Sequence, residues 1–351
     1  MGYLVAGSWG TVQCYATPRF FLDEAPPPSL VSQEKDSRSP LPARQAGDAA
    51  VDDPQRIASV EDLMRDGKLD DMEPLVRSYL SDHPRSSRAY YILGYILLRQ
   101  RRIGDSITAA AKSLELDLDN TEAHKLLGRD LSIIGRYDLA AREFREALRL
   151  APNSAEIHYD LGRVFAAQDD FPDARVELQK AVELDSNYME AFNALGFAME
   201  ALQDDAAALE NYRTSIRLNE ERHGKFDSPY INLSGFYNNS GKLDSALEYA
   251  NKALQLNPQS DLAYFQIAKA CRARQDWQGV SDALAKAIAI KPWWSEYHYI
   301  LATAYRKLGK AKESEQELKT FEDLEKRNAE LESQRREARR RERGLESRPE
   351  Q

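Results

Sequence analysis

Apolar residues recur along this chain at three- and four-residue steps from about residue 57 to residue 324, the spacing that gathers side chains on one face of a helix. Short polar turns interrupt the helical pattern, as at Gly135-Arg136-Tyr137-Asp138 and Gly241-Lys242-Leu243-Asp244. The spacing therefore predicts a succession of short amphipathic helices joined by tight turns.

The helices repeat. Counting blocks of 34 residues from Ser87 puts Leu93, Leu127, Leu161 and Leu195 at place 7, and Gly94, Gly128, Gly162 and Gly196 at place 8. Four extra residues, 223–226, interrupt the frame. It resumes at Asp227 with Leu233, Ile267 and Leu301 at place 7, and Ser234, Ala268 and Ala302 at place 8. Place 20 is small in most blocks (Ser106, Ala140, Ala174, Ala208, Ala246, Val280, Ser314). Place 24 carries Phe144, Leu178 and Tyr212, and place 32 carries Pro152, Pro258 and Pro292. Small residues at places 8 and 20 let two helices approach, and the large group at place 24 fills the space between them. Proline at place 32 ends the second helix and starts the link to the next pair.

This pattern resembles the tetratricopeptide repeat family, whose units are helix–turn–helix pairs stacked into a superhelix. The resemblance covers seven repeats: 87–120, 121–154, 155–188, 189–222, 227–260, 261–294 and 295–328. It implies an all-α fold, a right-handed superhelical solenoid whose core forms only between neighbouring units. Residues 56–86 read as a degenerate N-terminal repeat or cap, because Gly67-Lys68-Leu69-Asp70 resembles the inner turn and Pro84 falls in the terminating place. The insertion at 223–226 is expected to be a surface loop, with a bend of the array as the alternative.

The flanks differ from the middle. Residues 1–16 are apolar and uncharged, similar to the hydrophobic and cleavage portions of a secretory signal without its positive start. An exported location, periplasmic or secreted, is expected, with a cytoplasmic tail as the alternative. Residues 17–55, rich in Pro, Ser and Asp, are expected to be a disordered linker. Residues 329–351 are expected to form a charged helical tail, the end of a stretch from Glu313 in which Glu322–Lys326, Glu332–Arg336 and Glu337–Arg341 stand four apart, acid first. Leu318, Phe321, Leu324 and Leu331 make an apolar stripe expected to cap the last repeat. By itself that stripe is too short for a coiled coil.

The chain carries 57 acidic and 48 basic side chains, a formal net charge of −9, so no bulk positive field exists for nucleic acid or an anionic membrane. Two cysteines, Cys14 and Cys271, cannot build a disulfide framework, and Cys271 reads as a buried small hydrophobe. No apolar run is long enough for an ordinary transmembrane helix. Metalloprotease, phosphate-loop and nucleophile-elbow motifs are absent, and no enzyme activity, cofactor or metal is expected. His124, His158 and His298 share place 4 with Tyr90, Phe192, Tyr230 and Tyr264, so they read as packing groups. Asp169-Asp170 and Asp204-Asp205 fall in inner turns and read as helix caps.

In the family that the pattern resembles, the first helix of each pair lines an inner groove, with places 2, 5, 9, 12 and 13 facing inward. Carried onto this chain, those places give Arg88, Tyr91, Tyr95 and Arg99 in the first repeat, then Glu122, Lys125 and Arg129 in the second. Glu156, Tyr159 and Arg163 follow, then Glu190, Asn193, Phe197 and Glu200. The fifth repeat is neutral, with Ile231, Asn238 and Asn239; the sixth gives Phe265, Lys269 and Arg272; the seventh gives Glu296, Tyr299, Arg306 and Lys307. Places 5, 9, 12 and 13 together hold eight basic residues and one acidic one, Glu200. Arg and Lys beside aromatic rings suit an extended peptide with acidic groups or a free carboxylate. The expected function is a non-enzymatic adaptor for such a protein segment. The alternatives are an accessory array of an enzyme such as a glycosyltransferase, and a co-chaperone. No apolar segment outside the repeats is long enough for a catalytic domain. The asparagine ladder of those transferases reduces here to Asn232, and the lysine–asparagine clamp of chaperone-binding repeats is incomplete.

Overall fold

The computed structural model describes residues 69–346. The signal-like residues 1–16, the linker 17–55, the first part of the expected cap (56–68) and the tail's end (347–351) lie outside the described residues. The described residues form fifteen helices, divided between two compact units that meet in sequence at Ala198 and Met199.

The first unit contains α1 (Leu69–Asp82), α2 (Ser87–Arg99), α3 (Ile103–Leu116), α4 (Thr121–Ile133), α5 (Tyr137–Leu150), α6 (Ala155–Ala167), α7 (Phe171–Leu184) and α8 (Met189–Ala201) as far as Ala198. Pairs α2/α3, α4/α5 and α6/α7 each pack as one repeat, and α3 and α5 pack on α4 and α6, the first helices of the next repeats. The second unit holds the end of α8 with α9 (Asp205–Glu221), α10 (Ser228–Asn239), α11 (Leu243–Leu256), α12 (Asp261–Ala273), α13 (Trp277–Ile290), α14 (Ser295–Lys307) and α15 (Ala311–Glu346). Both units are all-α solenoids built from the same helix-pair packing.

The 34-residue frame maps onto this packing. A Cβ on Gly128 would stand 2.8 Å from the Phe144 ring, and one on Gly162 would stand 2.6 Å from Leu178. At Gly128 and Gly162 place 8 is therefore small because place 24 of the partner helix presses against it, and Phe144 and Leu178 are fully buried. Where place 20 is serine it adds a hydrogen bond: Ser106 and Ser314 donate to the carbonyls of Gly94 and Ala302, each at 2.8 Å.

Local chemistry sets the helix ends. Ser86, Asn120, Ser154 and Ser260 accept backbone N–H groups at the starts of α2, α4, α6 and α12. Asp170 and Asp204 cap α7 and α9 in the same way. Asp169 instead sits at place 15 of the inner turn with φ 60°, where Gly135, Gly241 and Gly309 have φ 72°, 71° and 76°. Arg101, Gln203 and Gln275 adopt the same left-handed turn at φ 64°, 62° and 60°.

Three flanking expectations meet the structure here. Helix α1, in the described part of the expected cap, packs Met72, Val76 and Tyr79 against the core of α2. The insertion follows an α9 of 17 residues, against 14 in α7. Asn219 ties it, donating to the Phe226 carbonyl at 3.1 Å and accepting from its N–H at 3.2 Å. Within the described residues the tail continues α15 without a break as far as Glu346, but the apolar stripe packs only in part. Leu324 is buried and Phe321 packs beside Tyr299, whereas Leu331 is 46% exposed.

Candidate functional site

In the first unit the expected inner-face residues come together, but not as an open basic groove. Lys125 Nζ lies 2.5 Å from Glu156 and 3.1 Å from Glu122. Arg129 donates through Nη2 to Glu156 at 2.6 Å and through Nε to Asp160 at 2.7 Å. All of these side chains but Glu122 are largely withdrawn from water, with Arg129 17% and Asp160 4% exposed. The pairing leaves its mark on the carboxylate: burial would raise the Glu156 pKa, yet Arg129 and Lys125 outweigh it and hold it at about 2. Burial likewise works against the Arg129 charge, and Asp160 and Glu156 overcome it.

The expectation of a positive groove is corrected in this stretch. Its charge count ran over places 5, 9, 12 and 13, whereas the neutralising groups stand at place 2 (Glu122, Glu156) and place 6 (Asp160). Two cations face three carboxylates. Asp160 was missed because place 6 was not read as facing inward. Its signal in the sequence is its position 31 residues beyond Arg129, one repeat less three.

Several expected contact residues of this unit are part of the helix stack. Tyr95, Lys125, Tyr159, Arg163 and Asn193 are all buried. Arg163 stacks over the Tyr159 ring at 5.1 Å, and Tyr188 packs its ring 4.9 Å from Tyr159. Phe197 meets Phe171 edge to face at 6.0 Å. Tyr91 is half-buried, and burial together with nearby Glu122 pushes its phenol far up. Arg99 is exposed.

The second unit presents a different surface. Asn238 is a structural tie, donating to the Gln266 backbone carbonyl at 3.0 Å and to its side chain at 3.1 Å. Phe265 is buried against Tyr297, ring centroids 5.2 Å apart. Glu200, the acidic member of the count, accepts from Tyr212 at 2.9 Å and Asn239 at 3.1 Å. Burial raises its pKa; those two hydrogen bonds and Lys269 oppose the rise. Arg272, Arg306 and Lys307 are exposed at the ends of α12 and α14, and Lys269 is half-exposed. Tyr299 is 48% exposed beside Phe321. Lys307 Nζ stands 5.8 Å over the Trp277 ring, a cation–π contact that leaves the ammonium facing water. Cations at helix C-termini also complement the backbone dipole. This is where the expected combination of accessible positive charge and aromatic surface occurs.

Among the described residues, no group of three or more His, Cys, Asp or Glu side chains is placed to hold a metal ion, and no helix is long and apolar enough to cross a membrane. Cys271 is buried, and burial raises its thiol pKa.

Two family models, both described as tetratricopeptide repeat, match residues 57–123, 125–188 and 228–260. No curated protein matches the chain. Among solved structures, the chain is similar to one from the APC/C hetero-tetramer Cut9–Hcn1, at TM-score 0.62 and 18% identity over 72% of this chain and 49% of that one. It thus spans about half the length of that relative. It is also similar to a tetratricopeptide repeat protein from Parabacteroides merdae, at TM-score 0.59 and 15% identity over 71% of this chain and 97% of that one. A third likeness is to Pseudomonas aeruginosa pilF, at TM-score 0.51 and 21% identity over 62% and 97% of the two chains. At these identities the likeness is one of fold.

Proposed function

The chain is a tetratricopeptide repeat protein, and from that premise we propose that its role as a protein–protein interaction scaffold is exercised on a segment carrying acidic groups. That segment would dock on the inner face of the second unit. The observation that carries this reading is that Arg272, Arg306 and Lys307 are exposed at the ends of α12 and α14, with the Tyr299 ring also half-exposed. A carboxylate meets a bidentate guanidinium there without displacing an existing salt partner from Glu156 or Asp160, as it would have to at Arg129. The tyrosine adds apolar area at small entropic cost. A non-catalytic role follows from the same reading. We also place the protein in an exported setting, on the strength of the uncharged, apolar residues 1–16; recovery of the chain with Met1 intact would argue against that placement.

The test is binding of a fluorescein-labelled Asp/Glu-rich peptide to the full chain, followed by anisotropy at rising salt. Arg272→Glu with Arg306→Glu should abolish binding while leaving the helical signal unchanged. Undiminished binding in that double variant would overturn the acidic-segment reading.

A further inference from the structure

Three of the four described histidines outside the inserted loop make one and the same set of contacts. His124, His158 and His298 place Nδ1 at 2.7, 2.6 and 2.6 Å from Glu143, Glu177 and Glu317 of the second helix in their own repeat. Their Nε2 atoms lie 3.0, 3.1 and 2.9 Å from the backbone carbonyls of Leu118, Pro152 and Pro292, in the turn leading from the preceding repeat. All three rings are buried. The aromatic residues of the other repeats can fill this place, but they cannot tie both neighbours at once.

The hydrogen-bond chemistry fixes the proton count. A backbone carbonyl only accepts, so Nε2 must carry a hydrogen. Nδ1 then faces a carboxyl group with one proton between them, held as imidazolium with carboxylate or as imidazole with carboxylic acid. Loss of that proton leaves a bare nitrogen lone pair against a carboxylate, both withdrawn from water. We propose that the His124 set is a proton-held latch, which fastens its repeat to the preceding turn while the histidine–glutamate pair keeps its proton and releases it as that proton is lost at alkaline pH; the His158 and His298 sets repeat its geometry.

The surroundings of His124 are consistent with this. The hydrogen bond to Glu143 raises the His124 pKa; burial opposes the rise, while the Leu118 carbonyl and the charges of Glu143 and Glu146 add to it. Place 26 reaches place 4, as Lys286 over the Tyr264 ring at 5.3 Å demonstrates. The second helices therefore offer Glu146, Lys180 and Thr320 at the equivalent place beside His124, His158 and His298. The connecting turns carry exposed Asp117 and Asp119 at His124, no charge from Ala151 to Ser154 at His158, and at His298 Lys291, paired with Asp261 at 3.2 Å. The preceding second helices end in ion pairs of their own, Lys112–Glu115 and Arg149–Glu146, at 2.7 and 3.0 Å.

The sign follows from linkage. A group whose folded form holds its proton above the ordinary imidazole value of about 6.5 stabilises fully below that value, and the contribution is lost as pH rises through the folded value. Glutamine supplies a proton-independent version of the same latch: its amide donates to a neutral Nδ1 while Nε2–H keeps the carbonyl. The experiment compares urea midpoints of the full chain and of its Glu143→Gln variant between pH 7 and pH 9. The wild type should lose about tenfold in its folding equilibrium through the His124 latch for each unit by which the proton is held beyond the ordinary value, and the glutamine variant should lack that loss. Equal slopes would overturn the proposal. Should the variant not fold, nitrogen-15 spectra of the His124 ring together with carbon-13 spectra of the Glu143 carboxyl at pH 7 decide: N–H at both ring nitrogens, or a protonated carboxyl, supports the latch, and a bare Nδ1 facing an ionised carboxylate refutes it.

Discussion

Arg129 reaches across to the next first helix and places Nη2 2.6 Å from Glu156, while its Nε holds Asp160 at 2.7 Å. The pair joins two repeats through charges that are mostly out of water. Removing one partner strands the others, which costs about 3–5 kcal/mol for a buried pair. Glu156→Ala should therefore lower the stability of the first unit by roughly that amount in urea titrations; a change below about 1 kcal/mol would mean the network behaves as a surface pair. The Glu156 contribution is present above the ordinary carboxyl value and is lost as pH falls from about 4.5 toward about 2.

Asp130 gives the opposite pH dependence. It is fully buried, and its Oδ2 lies 2.6 Å from the Ser106 hydroxyl, whose single proton is also directed at the Gly94 carbonyl 2.8 Å away. Both contacts are satisfied when the carboxyl is protonated and donates to Ser106. Burial raises its pKa to about 7, against opposing effects of Ser106 and Arg129. A raised carboxyl stabilises below its unfolded value and loses that contribution as pH climbs from about 4 to about 7, at roughly 1.4 kcal/mol per pH unit. Asp130→Asn, which keeps the donor to Ser106, should remove this slope and stabilise the protein at pH 7.5; a destabilised variant there would show that the ionised form is the one the fold prefers.

Gly128 and Gly104 separate packing from propensity. Gly128 has the Phe144 ring where a Cβ would go, so Gly128→Leu should collapse the cooperative melting of α4, α5 and their neighbours. Gly104 has nothing within 4 Å of its would-be Cβ, so Gly104→Ala in α3 should be neutral or stabilise by up to about 1 kcal/mol. An unchanged melting temperature in Gly128→Leu would count against the packing described.

The left-handed inner turns invite a stabilising change. Gln203 and Gln275 hold φ 62° and 60° at a place where three repeats use glycine. A side chain in that region costs on the order of 1 kcal/mol, and glycine gives some of that back through its looser unfolded chain. Gln203→Gly and Gln275→Gly should each raise stability by a few tenths to about 1 kcal/mol by urea titration, with Asp169→Gly smaller because aspartate tolerates the conformation better.

Periodicity along the chain determined the repeat frame, the helix pairs, the small–large contact of Gly128 with Phe144, and the capping roles of Asp170 and Asp204, because each depends on residues within one repeat or on the step between repeats. It also marked which faces of the first helices to inspect. What the tertiary structure decided was who meets whom across the stack. Glu156 and Asp160 reach Arg129 from the next repeat, turning an apparently positive face into a neutralised one, and Tyr95, Tyr159 and Asn193 sink into the core. The same holds for the histidines, which read as packing rings until the preceding turn brought a carbonyl to each Nε2. A repeat frame specifies positions on a helix. The charge and proton content of a buried group is set by the two or three side chains that arrive beside it, and those come from helices whose relative placement no single repeat encodes.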